Sequence, residues 1–248
     1  MKIISLNIAG RANFGKDFDA RIKKIIEFIN DQNADIVCFQ EVTFGQKESL
    51  ASKINNSLNN PYKYMVADMS EKYTFDRFSK AAMKKWEQGL TEHFDDYLTD
   101  GLAVLSKTPI SKCETIVMKP APKDERGKPD LRVRIVQNIT LESNLTLSNV
   151  HFATNNNAYQ QLDELLGYCT SDIVVGDFNM STTDIHNHRN IWSKTYQEST
   201  DFQDYISFPS EDATFDHMLL AQDYKFKLID KQDGLSDHSA IIFQIDKK

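Results

Sequence analysis

The sequence predicts a layered α/β fold, and three stretches carry that expectation. Residues 2–8 read as a strand, residues 17–31 repeat apolar side chains at a helical period, and Asp35-Ile36-Val37-Cys38-Phe39 reads as a strand again. A strand, a helix and a strand of these lengths build a layered core. Further on, Ile173-Val174-Val175 follows a helix-like segment over 156–168 and has the unbroken apolar character of a strand buried on both faces. From Gly101 the texture is mainly β, with short runs of branched residues between turn residues.

Taken in order, the first strand ends at Asn7 and gives way to a loop over 9–15 with two glycines. Asp17 opens the first helix, whose stripe is Phe18, Ile22, Ile25, Ile26 and Ile29. The second strand ends in Gln40-Glu41; a helix over 46–59 and a strand over 62–67 are expected next. Residues 68–100 fit no regular element, since Tyr73, Phe75, Phe78, Trp86, Phe94 and Tyr97 stand among eight acidic and five basic residues. They predict an insertion with helical character, either a lid over a substrate or a solvated excursion whose aromatics turn into the core. Strands follow at 101–106, 110–118, 131–141 and 144–151, with turns at Pro109 and Gly127-Lys128-Pro129. Within them Arg132 and Arg134 alternate with Leu131, Val133 and Ile135, so the arginines share one face. That face is either a phosphate-facing edge, continuous with a basic loop over 119–128, or a solvated hairpin. The helix over 156–168, the strand over 172–176, a short helical stretch near 184–194, and strands at 215–220, 225–230 and 239–246 complete the chain. No repeat, linker or low-complexity tract interrupts it, so one domain over 1–248 is the economical organisation.

Composition narrows the function classes. The formal charge is 29 − 36 = −7, which argues against strong non-specific attraction to nucleic acid but leaves room for a local basic groove. The three cysteines, Cys38, Cys113 and Cys169, are odd in number and widely spaced, so no disulfide framework is expected. No apolar run approaches membrane-spanning length, and the N-terminal residues already read as a strand rather than a leader. The expectation is a cytoplasmic monomer.

The chemistry gathers where strands end. Asp177 and Asn179 follow the buried strand and its turn at Gly176, and in an extended chain positions two apart point the same way. A carboxylate beside a carboxamide can take a proton and orient a water; the pair is equally what a capping turn uses. Asn7 closes the first strand, Glu41 follows the second, and His151 ends Leu145-Thr146-Leu147-Ser148-Asn149-Val150. Asp216 precedes Met218-Leu219-Leu220, and Ser236-Asp237-His238 precedes the last strand. Alone, Glu41 reads as a solvated turn residue and His151 as a satisfied structural histidine. His217 reads as strand-interior, and His93, His186 and His188 as surface residues. Six polar strand ends are harder to explain as turns, because ligand sites collect at one edge of α/β sheets.

These motifs, Ser-Leu-Asn-Ile around Asn7, Phe-Gln-Glu-Val around Glu41, Asn-Val-His-Phe around His151, Gly-Asp-Phe-Asn at 176–179, Phe-Asp-His-Met at 215–218 and Ser-Asp-His-Ser at 236–239, occur in an order that resembles the endonuclease/exonuclease/phosphatase superfamily. Asp-Gly-Leu-Ala-Val-Leu-Ser-Lys at 100–107 also resembles that family's central strand. The resemblance implies a four-layer αββα sandwich, two mixed β-sheets packed face to face with helices outside, and metal-dependent attack of water on a phosphoester. It implies Glu41 as a metal ligand with Asn7 and Asp237 beside it, either direct or through water. Oxygen donors of this kind suit Mg²⁺ or Mn²⁺. Asp177 is the expected base, Asn179 the holder of the water and a phosphate oxygen, and His238 the stabiliser of developing charge, oriented by Asp216. His151 is expected on another phosphoryl oxygen or at the leaving group.

The ester itself is less legible. Family members acting at apurinic sites carry a tyrosine in an Asn-Tyr-x-Pro-Asn-like segment where this chain has His151 and Ala153-Thr154. A histidine there resembles the branches that contain deoxyribonucleases, sphingomyelinases and deadenylases. Nucleic acid is the favoured phosphodiester substrate, met by Arg132, Arg134 and aromatics of 68–100. A lipid headgroup or small phosphorylated metabolite is the alternative, and a binding module that kept the fold without catalysis is a third.

Overall fold

Twelve strands and the helices beside them account for the residues described by a computed structural model: 1–10, 18–45, 48–70, 97–119, 133–154, 156–168 and 170–248. One sheet holds β1 (Lys2–Asn7), β2 (Ile36–Gly45), β3 (Tyr64–Met69), β4 (Tyr97–Ser106), β11 (Tyr224–Gln232) and β12 (Ala240–Lys247), in the order β11-β12-β1-β2-β4-β3. The other holds β5 (Ile110–Val117), β6 (Ile135–Leu141), β7 (Thr146–His151), β8 (Ile173–Asp177), β9 (Tyr196–Glu198) and β10 (Asp216–Ala221), in the order β5-β6-β7-β8-β10-β9. Each sheet is mixed: β1–β2 and β7–β8 are parallel, each joined through a helix, and the remaining pairs are antiparallel.

Strand alternation sorts the side chains into layers. Ile3, Ile36, Cys38, Val104, Ile241 and Phe243 of the first sheet pack against Leu147, Ile173, Val175, Met218 and Leu220 of the second. The opposite face of the first sheet, with Ile4, Leu6, Val37, Phe39 and Ile242, is covered by α1 (Phe18–Gln32) and α2 (Leu50–Asn56) through Ile22, Ile25, Ile29 and Ile54. The outer face of the second, with Val136, Val150, Val174 and Leu219, is covered by α3 (Asn156–Tyr168), α4 (Thr182–Asn187) and α5 (Arg189–Trp192). Each large apolar side chain so buried stabilises the fold by about 1.5–3 kcal/mol. The molecule is therefore an αββα sandwich, as the resemblance implied.

Boundaries moved for local reasons. The helix expected over 46–59 is shorter, because Ser49 caps it by accepting from Ser52 N at 3.1 Å. The strand expected from 144 begins at Thr146, since Asn144 turns through φ 65° to close a tight Leu141–Leu145 hairpin. β9 had no signal: three residues at a sheet edge are too short for periodicity. At the ends of the stretch expected to be a helical insertion, β3 runs to Met69 and β4 starts at Tyr97. Residues 71–96 lie outside the described residues, as do 11–17, most of the basic loop, Arg132 and Cys169.

Candidate active site

The inward-facing rows of four strands end in polar residues. Continuing Ile3 along β1 leads to Asn7, and along β8 Ile173 and Val175 lead to Asp177. On β7 the row of Leu147 ends at His151, and on β10 Met218 and Leu220 share a face with Asp216. Register completes the alignment, because Asp177 lies opposite His151 on one side and opposite Asp216 on the other. The same alternation that builds the core thus delivers an amide, an imidazole and two carboxylates to one end of the sandwich. Beneath them the sheets are tied by a buried polar link: Gln40 Nε2 donates to Asn149 Oδ1 at 2.7 Å, and Asn149 Nδ2 donates to the carbonyls of Phe39 and Ala103 at 3.1 Å each.

Glu41 reaches the site by breaking the pattern. Regular alternation would send it with Val37 and Phe39 into the apolar layer under the helices. The pairing of β2 with β4 instead skips a residue between Phe39 and Val42, and Glu41 takes φ 52°. This one-residue bulge puts Val42 in the apolar layer and leaves the carboxylate at the sheet end. Gly10 is needed alongside, since a Cβ there would come within 2.2 Å of the Glu41 carbonyl oxygen.

Asn7 joins the two halves. Its Nδ2 donates to Asp177 Oδ2 at 3.0 Å and to Glu41 Oε1 at 3.3 Å, while its Oδ1 accepts from Ala9 N at 2.9 Å. His151 Nε2 lies 3.5 Å from Asp177 Oδ2 and 3.8 Å from Glu41 Oε1. His238 Nε2 lies 3.7 Å from the same Asp177 oxygen, and its Nδ1 is 2.8 Å from Asp216 Oδ2. Ser236 Oγ holds the last loop by donating to the Asn7 carbonyl at 2.6 Å and accepting from His238 N at 2.9 Å. Asn179, at φ 50°, donates its backbone N–H to Asp177 Oδ1 and its Nδ2 to the Phe152 carbonyl, both at 2.9 Å.

Charge follows from burial and neighbours. Burial pushes the Asp177 carboxyl up, with Asp216 adding to it; His238, Asn179 and Asn7 pull it back, and it settles at about 6. Burial alone would lower His238, but the Asp216 and Asp177 carboxylates outweigh it and raise the imidazole to about 10. Near neutrality the pair is therefore an imidazolium facing a carboxylate.

The site turns sharply at Gly176, whose φ is 142° and where a Cβ would meet the Val150 carbonyl oxygen at 2.1 Å. Gly176→Ala is expected to destabilise the protein by about 3 kcal/mol or more, because a strained φ and a backbone clash combine. Denaturant titration measures this, and a loss below about 1 kcal/mol would contradict it.

The structure thus brings together Asn7, Glu41, His151, Asp177, Asn179, Asp216 and His238. Asp237 is exposed beside them, and its charge, with that of Glu41, acts on the half-buried Arg21 guanidinium. Arg134 is buried ahead of β6, 9% exposed. Sequence reading missed Arg21, which donates to the carbonyls of Ile8 and Ala9. Its only signal was a basic residue at the start of a helix, where the dipole disfavours one. His186, read as a surface residue, is half-buried, 3.4 Å from both Glu198 Oε2 and Asp201 Oδ1. That second cluster already carries its counter-charges, Arg189 on Asp201 and His217 on Glu198.

The donor set suits a hard divalent cation. Glu41 and Asp177 offer carboxylate oxygens linked through one amide, Asp237 stands nearby, and neither Cys38 in the core nor Cys113 on β5 joins the site. Asp216 Oδ1, buried, has no hydrogen-bond partner among the described residues.

Two facing mixed sheets, helices outside, and a carboxylate–amide–imidazole cluster between the sheet ends define the class of protein. The chain belongs to the Endonuclease/Exonuclease/phosphatase family, whose model matches residues 4–219. Its fold is similar to that of a family protein from Leptotrichia buccalis, at 15% identity, 99% coverage of each chain and TM-score 0.68. It is also similar to the catalytic domain of human nocturnin with bound sulfate, at 17% identity, 99% and 93% coverage and TM-score 0.62. Sphingomyelinase C from Streptomyces griseocarneus matches at 12% identity, 98% coverage of each chain and TM-score 0.68. No curated protein matches the chain by sequence. No helix among the described residues is long and apolar enough to cross a membrane.

Proposed function

We propose that the protein is a divalent-metal-dependent phosphoesterase that hydrolyses a phosphodiester with an activated water, nucleic acid being the favoured substrate class. The observation that supports this most is the contact chain Glu41–Asn7–Asp177–His238–Asp216, five residues from five separate segments meeting at one sheet end. A Mg²⁺ or Mn²⁺ ion held by Glu41, with Asp237 and Asn7 beside it, would supply positive charge to the phosphoryl oxygens. Asp177, at about 6, is ionised at neutral pH yet basic enough to take the proton of the attacking water. Asn179 has its nitrogen committed to Phe152, which leaves its carboxamide oxygen to orient that water. His238 stays protonated, with Nδ1–H on Asp216, so Nε2–H can donate to a phosphoryl oxygen as negative charge grows. His151, on the far side of Asp177, meets a second phosphoryl oxygen or the leaving oxygen.

A second reading, a lipid headgroup or small phosphorylated metabolite, is favoured by the net charge of −7 and by the burial of Arg134. The purified protein with Mg²⁺ is expected to cleave a bis-nitrophenyl phosphate, and His238→Gln is expected to lower kcat by about 10²–10³. Equal rates in both proteins would remove His238 from the mechanism, and no hydrolysis by the parent would leave a binding module. Oligonucleotides set against lipid and sugar-phosphate panels separate the two substrate readings.

A further inference from the structure

Behind the turn that carries Asp177 and Asn179 lies a buried charge pair that the mechanism above does not use. His217 and Glu198 are 1% and 0% exposed, and His217 Nδ1 is 2.9 Å from Glu198 Oε1. The other ring nitrogen, Nε2, is 2.8 Å from the Met180 carbonyl oxygen. A carbonyl only accepts, so Nε2 carries a proton. Glu198 is surrounded by donors: Ser199 Oγ at 2.6 Å and His217 on Oε1, Thr200 N at 2.9 Å and Thr200 Oγ1 on Oε2. A carboxylate surrounded by donors is ionised, so Nδ1 carries a proton as well. The pair is an imidazolium and a carboxylate. Burial pushes Glu198 up, but His217, Ser199 and Thr200 outweigh it and hold the group at about 2.

Such a pair adds little stability compared with well-packed apolar residues. It does fix direction. β10 places His217 opposite Gly176, and its ring centroid lies 5.6 Å from that of Phe178. The turn over 177–180 is held at each residue: Phe178 N donates to the Phe215 carbonyl at 2.8 Å, Asn179 to Asp177 and Phe152, and the Met180 carbonyl accepts from His217. Without His217 the last of these ties is lost, immediately after the left-handed residue Asn179.

We infer that His217 and Glu198 are positioning residues: Glu198 orients the His217 ring so that its Nε2–H pins the Met180 carbonyl and so keeps Asp177 and Asn179 in their working geometry. The inference rests on the proposed hydrolytic role of those two residues. Glu198→Gln preserves the arrangement, because its amide donates to a neutral His217 that still donates Nε2–H to Met180. Glu198→Ala and His217→Leu do not.

In the full-length protein, His217→Leu and Glu198→Ala are expected to lower kcat at least tenfold with KM within about twofold, since displacements near 1 Å cost up to about 10²-fold. Glu198→Gln is expected to restore kcat to within about threefold of the parent. If His217→Leu folds and keeps its kcat, or if Glu198→Gln is as impaired as Glu198→Ala, the inference fails. Nitrogen NMR of the parent tests it without any substrate: both His217 ring nitrogens should be protonated at pH 7, and a neutral ring would overturn the pairing. The Asn179 side-chain amide signal should shift in Glu198→Ala and return in Glu198→Gln. These spectra hold even if no phosphoester is cleaved, so failure of the hydrolytic reading and failure of the positioning role are told apart.

Discussion

Asp177→Asn is expected to lower kcat by about 10³-fold while leaving the metal-free protein no easier to melt. The loss follows from position: Asp177 is the carboxylate on which Asn7, Asn179, His151 and His238 converge, and an amide cannot take a proton from water. The stability half follows from linkage. The Asp177 pKa stands at about 6, above its ordinary 3.8, chiefly because burial penalises the charge. A raised carboxyl contributes its stabilisation below the ordinary value and loses it as pH rises through 6, a loss on the order of a few kcal/mol. Asparagine, fixed neutral, does not incur it. Melting in chelator at pH 8 is therefore expected at or above the parent's midpoint. In the parent, activity should rise with pH as the base ionises, and a bound cation moves that limb below 6 by favouring the carboxylate. A variant with near-parental turnover would remove Asp177 as base, and one that melts much earlier would show that its charge stabilises the fold.

The readable part of this molecule was the part governed by alternation. Asn7, His151, Asp177 and Asp216 sit at the ends of inward-facing rows, and period-two reading finds such residues directly. A layered α/β core was legible for the same reason, since strands apolar on both faces require cover on both sides, whereas two sheets packed face to face were implied only by the family resemblance. Glu41 was located in sequence but its path was not, because a single bulge residue at positive φ leaves no periodic trace. His217 could be read as strand-interior, yet its partner Glu198 stands on a three-residue edge strand with no signal of its own. Arg21 is held by backbone carbonyls of a distant strand end, a contact that no local spacing reveals.

Removing the divalent cation with a chelator is expected to abolish phosphodiester hydrolysis, and Glu41→Gln to raise the half-saturating Mg²⁺ concentration by about 10–100-fold. The argument is one of charge. Glu41, Asp177, Asp216 and Asp237 gather at one sheet end, against which the protein sets His238 and the half-buried Arg21. An anionic phosphodiester approaching that set would be repelled, whereas a cation seated on Glu41 reverses the sign the substrate meets. Binding to the folded state alone also stabilises it, by about 2.7 kcal/mol at a hundredfold excess over Kd. Melting with and without Mg²⁺ therefore reads the site independently of any substrate, and the shift should shrink in Glu41→Gln. Asn7→Ala separates ligand from linker: it removes the amide that spans Glu41 and Asp177, so kcat should fall more than metal affinity does. An unchanged melting midpoint on adding Mg²⁺ to the parent, together with hydrolysis that survives chelation, would mean that these carboxylates work without a cation.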